Sequence, residues 1–229
     1  EQDTNANMTR RILVLLESTS LAPGALVGEA PPVDAHYRVL RGILERYVVS
    51  ERSFLAESGL RFKVPRFLLN DIVRYWRTMA VDYVSKKWER GDAGWALRNI
   101  KLRFSRKLTF VSGVLICFAC YLESKALETE TLLRDREEAR RTVLQHLIAH
   151  VGRPPLDILC EHLLARAQPE TSRQILTAYD AFLAALNDDR RAKLDELQID
   201  AAYSDGVFNE LRKLSHTFQE GLNKMFYED

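Results

Sequence analysis

Two stretches of the chain set polar groups at helical spacing within apolar sequence. In residues 65–89, place Phe67 at 0° and advance about 100° per residue. Asn70, Asp71, Arg74, Arg77, Thr78, Asp82 and Ser85 then fall on one arc, interrupted, besides Phe67 itself, by Val81. In the next stretch Leu97, Ile100, Phe104, Leu108, Val111 and Leu115 form an apolar seam. Arg98, Asn99, Ser105 and Arg106 lie opposite it, with Lys101 and Arg103 flanking. Guanidinium forks and ammonium point charges suit phosphate oxygens. The candidate phosphate ligands are therefore Arg74, Arg77, Lys101 and Arg106, with Asn70, Asn99 and Ser105 adding neutral hydrogen bonds. The competing reading is a structural network in which Asp71 and Asp82 pair with the arginines.

Other chemistry is thinly represented. His146 and His150 have i, i+4 spacing, with His162 not far behind, but Leu147 stands where a catalytic H-E-x-x-H needs glutamate. No cysteine joins them at zinc-finger spacing, so no metal ligands are assigned. Cys117 and Cys120 lie in an apolar run and read as small buried hydrophobes. There is no P-loop, G-x-S-x-G or G-x-G-x-x-G, and no catalytic residue is assigned. Trp76, Trp88 and Trp95 interleave with basic residues, a pattern able to stack bases. Trp76 reads better as core, with the other two closing a hairpin.

Long helices must position these groups. The 229 residues are 46% hydrophobic and 28% charged, with few Gly and Pro, which excludes disorder and low complexity as the main state. Three cysteines are too few for a disulfide scaffold and fit a cytoplasmic location. Helical patterns run over 5–18, 34–50, 65–89, 92–124, 128–151, 156–167, 171–187, 189–197 and 205–227. Pro- and Gly-bearing breaks fall at 21–32, 57–64, 91–94 and 152–155. No stretch sustains the two-residue alternation of a strand. The expected fold is all-α, a bundle of about eight or nine helices around a long central hairpin. Residues 1–125 would form a first helical domain and 126–229 a C-terminal helical extension packed on it. The longest apolar run, 108–122, has 15 residues and includes Thr109, Ser112 and Gly113. A spanning helix wants about 20 apolar residues, so the run reads as a core helix and no membrane contact is expected.

Charge is unevenly placed. Residues 61–107 hold thirteen Lys and Arg against four acids, a local charge of +9 that leaves −8 for the rest. A basic centre between acidic flanks points to an anionic partner, or to pairing within the chain.

The runs FLLNDIVRYWRTMAVDYVSKK (67–87) and WALRNIKLRFSRKLTFVSGVL (95–115) resemble the helical domain of bacterial nucleotidyltransferase-like proteins of the DNA polymerase β-like superfamily. The matching residues are Asn70, Asp71, Ile72, Arg74, Tyr75, Trp76, Arg77 and Thr78, and then 96–108. Residues 8–18 resemble the helix leaving the catalytic domain of such proteins, and the likeness covers about half the chain. It implies Mg²⁺-assisted transfer of a nucleoside monophosphate from an NTP, with a nucleic acid or protein as possible acceptor. The metal in that family is held by a Gly-Ser turn and a D-x-D carboxylate pair, and no Gly-Ser followed by D-x-D occurs here. The chain begins at Glu1 and lacks a signal peptide, so the expectation is the helical half of a longer enzyme, or of a toxin-like or regulatory relative. The alternative is a non-catalytic helical module whose basic centre binds RNA or an acidic protein.

Overall fold

A computed structural model describes residues 5–18, 35–50, 64–90, 94–127 and 136–229. The order is α1 (Asn5–Glu17), α2 (Ala35–Ser50), α3 (Arg66–Arg90), α4 (Trp95–Lys101), a π-helical turn (Leu102–Arg106), α5 (Lys107–Leu127), α6 (Arg136–His150), α7 (Pro155–Arg166), α8 (Pro169–Leu186), α9 (Arg190–Glu196), α10 (Ile199–Ala202) and α11 (Gly206–Tyr227). No strand occurs among the described residues, and the fold is all-α as expected. The expected breaks at 21–32, 57–63 and 91–93, and the helical start at 128–135, lie outside the described residues.

The chain forms two compact units, Glu1–Trp76 with Thr109–Leu159 and Arg77–Leu108 with Cys160–Asp229. Each is assembled from two separate stretches of sequence, whereas the sequence reading placed a single boundary after residue 125.

In the first unit, α1 buries Met8, Ile12, Leu15 and Leu16, the i, i+4, i+7, i+8 stripe of an amphipathic helix. α2 contributes Leu40, Leu44, Tyr47 and Val48, and α3 contributes Leu68, Ile72 and Tyr75. α5 runs antiparallel to the start of α3: Gly113 lies against Ile72, and Phe110 stacks on Trp76 at 5.3 Å. A Cβ on Gly113 would stand 2.9 Å from Leu16 Cδ1 and 3.1 Å from Ile72 Cγ2. Glycine thus sets how closely α5 approaches α1 and α3. Gly152 turns at φ +80° after α6, the left-handed geometry that glycine adopts without strain.

The apolar side of α3 is less buried than the wheel suggests. Val73 and Val84 are exposed there, and Phe67 and Val81 are exposed within the polar arc. The stretch Trp95–Leu122 is long and apolar enough to cross a membrane by length and composition alone, and 56% of that window is buried inside the protein.

In the second unit, α8 and α11 pair antiparallel. Gln174 Nε2 donates to the Thr217 carbonyl, and the Gln168 amide donates to Asp229. α11 buries Phe208, Leu211, Ser215, Phe218, Leu222 and Met225, alternating steps of three and four as in a coiled-coil seam. Phe104 of the π turn is fully buried at the centre of this core. It stacks on Phe182 at 4.5 Å and on Phe218 at 5.4 Å. Trp95, at the start of α4, is buried beside Phe208 at 5.6 Å.

Candidate anion-binding site

The π-helical turn lies at the C-terminal end of the basic stretch. A π turn inserts one residue into the α-helical ladder and rotates everything after it relative to everything before, and such turns are frequent at functional sites. Around it the second unit gathers three cations. Arg103 Nε donates to Asn99 Oδ1 at 2.8 Å, and Asn99 Nδ2 donates to the Tyr83 hydroxyl, also at 2.8 Å. One amide thus orients the guanidinium and ties α4 to α3. Lys107 Nζ donates to Gln219 Oε1 at 2.5 Å, while Gln219 Nε2 donates to Asn223 Oδ1. Arg212 of α11 lies over the Tyr203 ring, 5.4 Å from its centroid.

The electrostatics follow from burial and like charge. Burial, then the Arg212 charge, holds Arg103 below the usual guanidinium range. Burial, then the Arg103 charge, lowers Lys107 to about 8. Burial likewise pushes the Tyr83 phenol up, against the Asn99 hydrogen bond. No carboxylate of a described residue pairs with Arg103, Lys107 or Arg212. Cations that repel one another in a part-buried place, held by neutral amides, favour an incoming anion.

Of the seven residues singled out from sequence, Asn99 lies in the second unit beside Arg103, and the other six are divided between the units. Asn70 is exposed on α3 in the first unit. Arg74, also there, is held within the chain: Nη1 lies 3.0 Å from Asp71 Oδ1, and Nη2 donates to Asn5 Oδ1 at 2.7 Å. Asp71 is buried and also accepts from the Tyr47 hydroxyl at 2.7 Å and from Arg11 at 3.5 Å. At this position the structural network is what the geometry displays. Asp82 pairs with Lys86 one turn on, at 2.5 Å.

Arg77, Lys101, Ser105 and Arg106 belong to the second unit. Arg77 and Arg106 are exposed and Lys101 is half-buried. Ser105 hydrogen-bonds Tyr179 of α8 and so faces protein. The straight-helix wheel set Ser105 opposite the seam because it could not anticipate the π turn. The sequence reading left out Lys107, which stands just before the apolar run 108–122, and Arg212, which lies more than a hundred residues away. Asn99 and Arg103 at i, i+4 were the legible signal.

Other groups are accounted for locally. The rings of His146 and His150 are 4.4 Å apart, and His150 Nδ1 lies 2.9 Å from the His146 carbonyl. No group of three or more His, Cys, Asp or Glu is arranged around a possible metal among the described residues. Cys117 and Cys120 are buried free thiols. No family model matches the chain, and no curated protein or solved structure matches it either.

Proposed function

We propose that this chain is the helical half of a nucleotidyltransferase-like protein and that its second unit holds the phosphates of an NTP. The catalytic domain would be a separate part, outside these 229 residues. The observation that carries the reading is the group Arg103, Lys107 and Arg212, part-buried and without carboxylate partners among the described residues. Guanidinium and ammonium donors there supply charge-assisted bonds to phosphate oxygens. Arg77, Lys101 and Arg106 of the same unit would strengthen the local positive field. Mg²⁺ does not fit a protein site of its own here, since no cluster of carboxylates among the described residues is arranged to ligate it. It would arrive on the triphosphate.

The test is the thermal midpoint with and without millimolar ATP, GTP, CTP or UTP and Mg²⁺. A ligand that binds only the folded chain raises the midpoint by mass action, about 2.7 kcal/mol at a hundred times its Kd. The expected result is a rise with at least one NTP, abolished in Arg103→Ala/Lys107→Ala and retained in Arg74→Ala. No rise with any NTP, or a rise the double variant keeps, overturns the reading.

A second reading draws on the width of the basic stretch. The charge of +9 over residues 61–107 exceeds what one triphosphate needs. That breadth favours an extended anion, RNA or an acidic protein, bound without catalysis.

A further inference from the structure

The three cations form a row with an aromatic ring at one end. Arg212 and Gln219 are seven residues apart on α11, on one face and about 10 Å apart along its axis. Lys107 is bonded to Gln219 at one end of that span. Arg212 covers Tyr203 at the other, and Arg103 is near enough to both for the Arg212 charge to act on it and for its own charge to act on Lys107. Tyr203 is 57% exposed. Its ring is nevertheless held by Trp95, tilted against it at 5.9 Å, and edge-on by Phe208 at 6.0 Å, both buried. An exposed ring rigidly backed by two buried ones, with a flat guanidinium over it, is a stacking surface ready for a second planar group.

We propose that this row takes an aromatic phosphate ester, a nucleotide, with its base stacked on the Tyr203–Arg212 surface and its phosphates directed toward Arg103 and Lys107. The inference rests on the phosphate reading above and adds what that reading leaves open: which end of the ligand goes where, and why a nucleotide is preferred to bare polyphosphate. Base stacking on an aromatic side chain is sequence-tolerant, so Tyr203 confers preference for a base without strong choice among bases.

The experiment is titration calorimetry of the whole chain with ATP and, separately, with inorganic tripolyphosphate, each with Mg²⁺. The native chain is expected to bind ATP about tenfold more tightly than tripolyphosphate, a typical return for one stacked base. Tyr203→Ala should remove that advantage and leave tripolyphosphate affinity unchanged, which also certifies that the variant is folded. Tyr203→Phe should keep it. If Tyr203→Ala does not fold, Tyr203→Leu retains the bulk without the π face and carries the same expectation. Equal affinity of the native chain for the two ligands, or a Tyr203→Ala loss shared by both, overturns the base placement while leaving the phosphate reading in force. Binding of neither ligand overturns both.

Discussion

The informative residue is Lys107. In the folded chain its ammonium gives up its proton at about 8, against 10.5 for an ordinary lysine. Between those values the unfolded chain binds more protons than the folded one, so stability rises as pH climbs from about 8 toward 10.5. Below 8 the charge is buried at a constant penalty. In Lys107→Met this contribution should vanish, and urea midpoints of native chain and variant across that window should converge as pH rises. A bound phosphate favours the charged amine, so NTP affinity should fall as pH passes 8, and a flat profile would exclude Lys107 from the contact. Asp71 behaves differently. It is buried and accepts from Tyr47, Arg74 and Arg11. Removing it in Asp71→Ala strands those donors and should cost about 3 kcal/mol in chemical denaturation, the range for breaking a buried charged network.

Helices α8 and α11 give element-scale expectations. A Cβ on Gly221 would fall 2.6 Å from Ile175 Cγ1, which real contacts do not tolerate, so the pair is set by glycine. Gly221→Ala gains about 1 kcal/mol of helix propensity and loses about 1–3 kcal/mol to overpacking. The net is expected to be destabilising, and Ile175→Ala, which removes the clashing Cγ1, should make the pair less costly than the sum of the two single changes in a double-mutant cycle. At the start of α11, Asp205 Oδ1 accepts from the Phe208 amide at 2.9 Å, and Lys193 lies 2.9 Å from Oδ2. Partial burial raises the Asp205 carboxyl, but the Phe208 hydrogen bond and Lys193 outweigh it, holding it below the usual 3.8. Its cap therefore contributes above that pH and is lost as pH falls further. Asp205→Ala should cost about 1 kcal/mol near neutrality, read as a lower thermal midpoint.

For the molecule as a whole, charge segregation is the distinctive property. A segment of +9 within a chain of net +1 produces a local field that salt attenuates over about 8 Å at physiological ionic strength. Nucleotide affinity should drop steadily with added KCl, and Arg103→Ala should flatten the slope. If affinity were indifferent to salt, apolar contact rather than charge would hold the ligand. Arrangement in two units, each built from two stretches, also matters here. Sequence neighbours such as Arg74 and Arg77 fall in different units, whereas Arg103 and Arg212 meet in one.

Fold class was legible in the residues themselves. The 3.6-residue stripe of α1, the seven-residue seam of α11 and the Gly and Pro breaks at 152–155 dictate helices because backbone geometry sets those periods locally. The basic centre was also legible, since charge is counted without knowing where anything points. What tertiary structure alone decided is which cations act together. Asp71 takes Arg74 into a buried network because α1 and α2 bring Asn5, Arg11 and Tyr47 to the same place. The π turn rotates Ser105 toward Tyr179 and brings Lys107 to Gln219, and α11 delivers Arg212 from the far end of the chain. Periodicity is a property of neighbours in sequence. A cluster of like charges is a property of neighbours in space, held in place by the packing of Phe104, Phe182 and Phe218 behind it.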